Sequence, residues 1–173
     1  MIELDHIKLP ILAELERYVA LFDEVLTHDE DFMNQVLSYV RSRKGKMMRP
    51  ILVLLLAKEL GTIEEPTLRS AVTLELLHTS SLIHDDVVDE SELRRGRKTA
   101  NNLFGNAAAV LVGDFLYTRA FQLMVGSGSM KILEVMADAT NIIAEGEVMQ
   151  LMNIGNIDIT EAQYMQVNQY KTV

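Results

Sequence analysis

Only three prolines fall in the 173 residues of this chain, and each sits where a helix would begin. Pro10 precedes a run opening at Ile11, Pro50 precedes the apolar run 51–60, and Pro66 lies in the first turn of a long segment, 67–89. A proline in a first turn gives up an N–H that has no helical partner anyway, whereas an interior proline breaks the ladder. Between these points apolar residues recur at helical spacing, and no alternating β-branched run persists. Further helices are predicted over 29–43, 106–125, 129–153 and 160–173. Thr160 and Gln163 have the spacing of a capping box, and Gly61 stands where a helix stop is expected. The expectation is a single all-α domain over residues 1–173, a bundle of roughly seven or eight helices with no dividing linker.

Several of these segments are apolar nearly all round, 51–57 and 107–112 among them, as a helix inside a bundle should be. Ten methionines add adaptable, greasy side chains to that interior. The 49% hydrophobic and 24% charged composition is that of a soluble globular protein. A net charge of −9 argues against general nucleic-acid binding. Without cysteine there are no disulfides or thiolate metal sites, and a cytoplasmic location is expected. Met1 to Pro10 lacks the plan of a signal peptide. The longest strictly apolar run, 51–57, falls short of the roughly 20 residues of a membrane span.

Chemistry concentrates in Leu82-Ile83-His84-Asp85-Asp86-Val87-Val88-Asp89, followed at once by Glu90-Ser91-Glu92-Leu93-Arg94-Arg95-Gly96-Arg97. Asp85 and Asp89 are one helical turn apart on one face, and Asp86 is displaced by about 100°. Carboxylates crowded at an apolar boundary repel one another and call for a cation. All-oxygen ligands suit Mg²⁺, which takes one or two protein carboxylates and completes its shell with water and phosphate. Arg94 and Arg95 supply forks that grip phosphate oxygens. The cluster reads as a metal–diphosphate site held by Asp85, Asp89 and Asp86; the plainer alternative is a solvated acidic helix end.

These residues, with others in the same order, resemble the trans-polyprenyl diphosphate synthases. Lys44-Gly45-Lys46-Met47-Met48-Arg49-Pro50 is similar to a Gly-Gly-Lys-Arg-x-Arg-Pro signature of that family, with Lys44 and Met47 in place of a Gly and an Arg. The run 75–86 resembles the helix ending in the family's first aspartate-rich motif. Val112-Gly113-Asp114-Phe115-Leu116 and Tyr170-Lys171-Thr172 resemble two further motifs. The likeness runs from about Lys44 onward and is nearest, over 94–150, to bacterial octaprenyl diphosphate synthases. No second aspartate-rich cluster follows Asp89, so the chain resembles the N-terminal half of such an enzyme.

The resemblance implies an isoprenoid-synthase bundle, here incomplete, and a Mg²⁺-dependent prenyltransferase acting on isopentenyl diphosphate and an allylic diphosphate. It implies isopentenyl diphosphate on Lys46, Arg49, His78 and Arg95, and the allylic diphosphate on Arg94, Lys171 and Thr172 beside the metal. Periodicity alone favours a core histidine bonded to a neighbouring carbonyl at His78, and it is the resemblance that makes it a diphosphate ligand. Ser80 and Ser81 lie about 6–7.5 Å below Asp85 along the helix. The resemblance makes them a chain-length pocket open to medium and long products, while simple back-bonding is the alternative. His84 is expected to support the aspartates or to pack in the core, and Asp114 to orient a nearby cation or to cap a helix. A homodimer is expected. Two other readings stay open: a non-catalytic fragment or subunit of a heteromeric synthase, and a terpene cyclase.

Overall fold

The computed structural model describes residues 4–42 and 45–171, which form two compact units, one ending at Ser129 and the other beginning at Met130. Helix α1 (Leu4–Lys8) runs through a 3-10 turn (Leu9–Ile11) into α2 (Leu12–Val25). Pro10 sits in that turn. Leu15, Tyr18 and Phe22, spaced three and four apart, put one face of α2 into the core. In α3 (Asp31–Ser42), Val36, Leu37 and Val40 do the same.

Helix α4 (Met48–Leu60) begins two residues before Pro50, so the proline occupies the first turn rather than preceding it. Its start is set by Met47, which holds a left-handed backbone (φ 52°), unusual for a residue with a Cβ. Gly61 does stop the helix, but in extended conformation (φ 167°) rather than the left-handed one.

The long helix α5 (Glu65–Val88) is the axis of the first unit. Leu68, Ala71, Val72, Leu76 and Ile83 are buried, and α2, α4 and α7 (Asn106–Gly126) pack around it. By length and composition α7 could cross a membrane, yet its buried stripe, Ala109, Val112, Gly113, Leu116, Ala120, Leu123 and Met124, faces protein. The two helices meet closely at Gly113: a Cβ there would lie 2.2 Å from His84 Nε2. Ser80 Oγ donates to the Gly113 carbonyl at 2.8 Å, so a buried hydroxyl is paired across the interface.

Between α5 and the short helix α6 (Ala100–Phe104) lies a hairpin of β1 (Leu93–Arg94) and β2 (Arg97–Lys98), which the helical periodicity does not predict. Leu93 pairs with Lys98 and Arg94 with Arg97. The turn residues Arg95 (φ 53°) and Gly96 (φ 75°) are both left-handed, as a two-residue turn matching the strand twist requires.

In the second unit α8 (Met130–Met152) packs against α9 (Glu161–Lys171). A Cβ on Gly146 would sit 2.9 Å from Tyr170 Cβ, so the glycine admits the close crossing. The capping box at the start of α9 is formed: the Thr160 amide donates to Gln163 Oε1 at 3.0 Å, and the Gln163 amide to Thr160 Oγ1 at 3.3 Å.

Candidate functional site

One face of α5 forms the wall of a cavity of about 770 Å³ in the first unit, through Glu75, His78, Thr79, Leu82, Ile83 and Asp86. Their spacing of three and four is that of a single helical strip. Tyr18 and Phe22 of α2 and Tyr39 and Val40 of α3 give it aromatic and apolar sides. Lys46 and Arg49 enter from the start of α4, and Arg94, Arg95 and Arg97 from the hairpin. Among the described residues, five cationic side chains from two separate segments thus share one opening.

The hairpin is anchored from several sides. Arg94 Nε and Nη2 both lie 2.8 Å from Oδ1 of Asp86, whose side chain is 7% exposed. The Asp86 hydrogen bond comes first in raising the Arg94 pKa, with charges on Asp86, Asp85 and Asp89 adding to it against partial burial. Asn101 Nδ2 donates to the carbonyls of Asp86 (3.2 Å) and Ser91 (3.1 Å), tying α6 to the end of α5. Thr99 Oγ1 donates to the Ser91 carbonyl at 2.7 Å, and Tyr39 Oη to the Lys98 carbonyl at 3.0 Å.

Of the three aspartates, Asp86 turns inward to Arg94, Asp85 is half-buried, and Asp89 is exposed at the C-terminal end of α5. Among the described residues no three His, Asp or Glu side chains converge into a ready cation cage. The donor set of Asp85 and Asp89, hard oxygens one turn apart, fits an ion that draws its remaining ligands from water and diphosphate.

Burial, then the charges of Arg49, Arg94 and Arg95, push His78 down to about 4. At neutral pH its ring is uncharged and retains one N–H to donate. Burial pushes the Glu75 carboxyl above the usual carboxylate range, with Arg49 and Arg95 opposing. Burial, followed by the Glu75 charge, pushes the Tyr18 phenol up. Glu75, Tyr39, Thr99 and Asn101 are site residues that the sequence reading missed. Glu75 alone had a usable signal, its place one turn before His78 on the same face.

The structure therefore brings together Lys46, Arg49, His78, Arg95, Arg94 and Asp86. Neither serine lines this cavity: Ser80 is buried against Gly113, and Ser81 back-bonds to the His78 carbonyl at 2.9 Å. His84 packs on α7, its Nε2 3.2 Å from the Val110 carbonyl and 3.4 Å from Asp114 Oδ1. Lys171 belongs to the second unit, where its Nζ lies 3.0 Å from Glu147 Oε1 and hydrogen-bonds Gln150 Oε1. Thr172 lies outside the described residues.

Residues 30–173 match the model of the polyprenyl synthetase family. The chain belongs to that family. It is 53% identical over 149 residues to octaprenyl diphosphate synthase of Escherichia coli K12, covering 86% of this chain and 46% of that protein. It is 42% identical to an all-trans-nonaprenyl-diphosphate synthase of Rhodobacter capsulatus over 164 residues, 94% of this chain and 50% of the relative. Among solved structures, a decaprenyl diphosphate synthase from Rhodobacter capsulatus superposes with a TM-score of 0.90 at 39% identity, over 98% of this chain and 52% of the other. A polyprenyl synthase from Caulobacter crescentus, complexed with calcium and isoprenyl diphosphate, gives 0.89 at 37% identity over the same shares. As a member of the polyprenyl synthetase family, the chain spans about half the length of these relatives. The helical fold is that of the isoprenoid synthases, present in part.

Proposed function

We propose that this chain carries the isopentenyl diphosphate pocket and the first metal-binding aspartates of a prenyltransferase. The enzyme would condense an allylic diphosphate, such as farnesyl diphosphate, with isopentenyl diphosphate into an octaprenyl-type chain for quinone side chains. It would work as a cytoplasmic homodimer. The observation that carries this reading is the cavity in which Lys46, Arg49, Arg94 and Arg95 surround a neutral His78, directly below the Asp85–Asp89 end of α5.

Asp85 and Asp89 would hold Mg²⁺, which when bound offsets charge on the departing diphosphate. In the condensation the allylic C–O bond breaks with its electron pair leaving on diphosphate. The isopentenyl double bond then forms the new C–C bond, and a proton is lost. Lys46, Arg49 and Arg95 hold the isopentenyl diphosphate, and His78 contributes its single N–H. Arg94 reaches the allylic diphosphate while Asp86 fixes its guanidinium, and the aromatic and aliphatic walls keep water from the cation.

Calorimetric titration with pyrophosphate tests the site. Binding should strengthen with Mg²⁺, and Asp85→Ala should remove that increment; equal binding with and without Mg²⁺ refutes the metal assignment. No second aspartate cluster follows Asp89 in these residues. The 173-residue chain alone should therefore turn over farnesyl and isopentenyl diphosphates about 10²–10³-fold below an intact synthase. Turnover within about tenfold would mean that another group supplies the missing electrostatic element.

A further inference from the structure

Among the described residues two carboxylates line the cationic cavity, and they are in opposite states. Asp86 is paired with Arg94. Glu75 has an oxygen, Oε2, sealed from solvent without any hydrogen-bond partner. An unpaired buried carboxylate oxygen is costly, the more so for a charged group. An apolar residue between Leu74 and Leu76 would avoid that cost, so the carboxylate calls for an explanation.

The charges that act on it are those of Arg49, from the first turn of α4, and Arg95, from the tip of the hairpin. Among the described residues neither guanidinium is held by an ion pair. Both line the cavity with Glu75 and His78. A guanidinium carries five N–H donors in a rigid fork, enough to meet a phosphate on one edge and a carboxylate on the other.

We infer that Glu75 is a positioning residue of the diphosphate pocket, its free oxygen accepting the inner edge of the Arg49 and Arg95 forks as their outer edges close on the phosphate oxygens. This rests on the reading of the cavity as the isopentenyl diphosphate site. It explains why one wall of an anion pocket holds an acid: the carboxylate aims the arginines, and the anion's arrival completes its hydrogen bonding. It also makes the effect of removing the charge opposite in sign to that of a bystander. Neutralising a bystander acid in an anion pocket strengthens anion binding; neutralising an aiming acid weakens it.

Isopentenyl diphosphate is titrated calorimetrically into the 173-residue protein without Mg²⁺, with Lys46→Ala as a control and Glu75→Gln as the test. Glu75→Gln should weaken the diphosphate by about tenfold, one charge-assisted hydrogen bond's worth. Inorganic phosphate, too small to engage both forks, should change by less than about half as much on a logarithmic scale. Glu75→Asp keeps the charge but draws it back, and it too should weaken binding. It decides the matter if the glutamine variant fails to fold. Equal or tighter diphosphate binding by the folded variants overturns the inference, as does an equal loss for phosphate and diphosphate. If the unsubstituted chain does not bind, or Lys46→Ala binds as well as it does, the diphosphate reading of the cavity falls and this inference with it.

Discussion

Arg94 spends two of its nitrogens on one oxygen of Asp86, each at 2.8 Å. The middle aspartate of the cluster thus faces the hairpin, while Asp89 stays in water at the helix end. An aspartate with one oxygen so engaged is a fixed anchor as well as a charge, and it sets where the arginine segment can lie.

Removing that anchor should be felt in stability. Arg94→Ala leaves Asp86 buried and unpaired, which for a fully buried pair costs about 3–5 kcal/mol. The Arg94 side chain is 39% exposed, so screening by solvent reduces the expected loss to about 1–3 kcal/mol. Asp86→Asn/Arg94→Ala should lose less than the sum of the single changes in urea unfolding. Additive losses would show that the pair does not couple.

Stability should also fall in mild acid because of His78. Its native pKa is about 4, against 6.5 ordinarily. As pH drops below about 6.5 the unfolded chain takes up a proton that the native pocket resists, so stability declines from there toward pH 4 and then levels. Glu75 acts in the opposite sense. Its native pKa is raised, so its contribution is present below its unfolded value of 4.5 and is lost as pH rises through the higher native one. Comparing urea midpoints of the unsubstituted chain and His78→Gln isolates the histidine, and the variant should have the flatter profile between pH 6.5 and 4. Parallel profiles would place the ring in contact with water.

Gly113→Ala should destabilise the chain although alanine is the better helix former. Its Cβ would meet His84 Nε2 at 2.2 Å. Overpacking of this kind costs about 1–3 kcal/mol, against a helix-propensity gain of about 1. Adding His84→Ala should recover most of the loss in a thermal melt. Failure to recover would assign the cost to other neighbours of α7.

Much of this architecture was legible because helical periodicity is a strong local signal: Pro10, Pro66 and the Thr160–Gln163 cap all stand where the spacing placed them. Pro50 shifted inward because a first turn accommodates proline at more than one position, and Met47 rather than Pro50 sets the start. The hairpin was invisible, since two-residue strands are too short for alternation to register. The cationic residues of the cavity were legible from the family's motifs. The inward turn of Asp86 was not, because it depends on an arginine brought back by that hairpin. Nor was the difference between Ser80 and Ser81, neighbours in sequence whose hydroxyls bond to a different helix and to their own.

The Arg95–Gly96 turn, with both residues left-handed, leaves the segment after α5 no slack. In a strand pair this short, side chains alternate faces with every residue. Lengthening the turn by one residue would slip β2 against β1, so that Arg97 no longer stands opposite Arg94 and the side chains of β2 change faces. Insertions and deletions between Ser91 and Thr99 should therefore be far less tolerated than point changes there, and a library scored for folding would register the difference as a gap in permitted lengths.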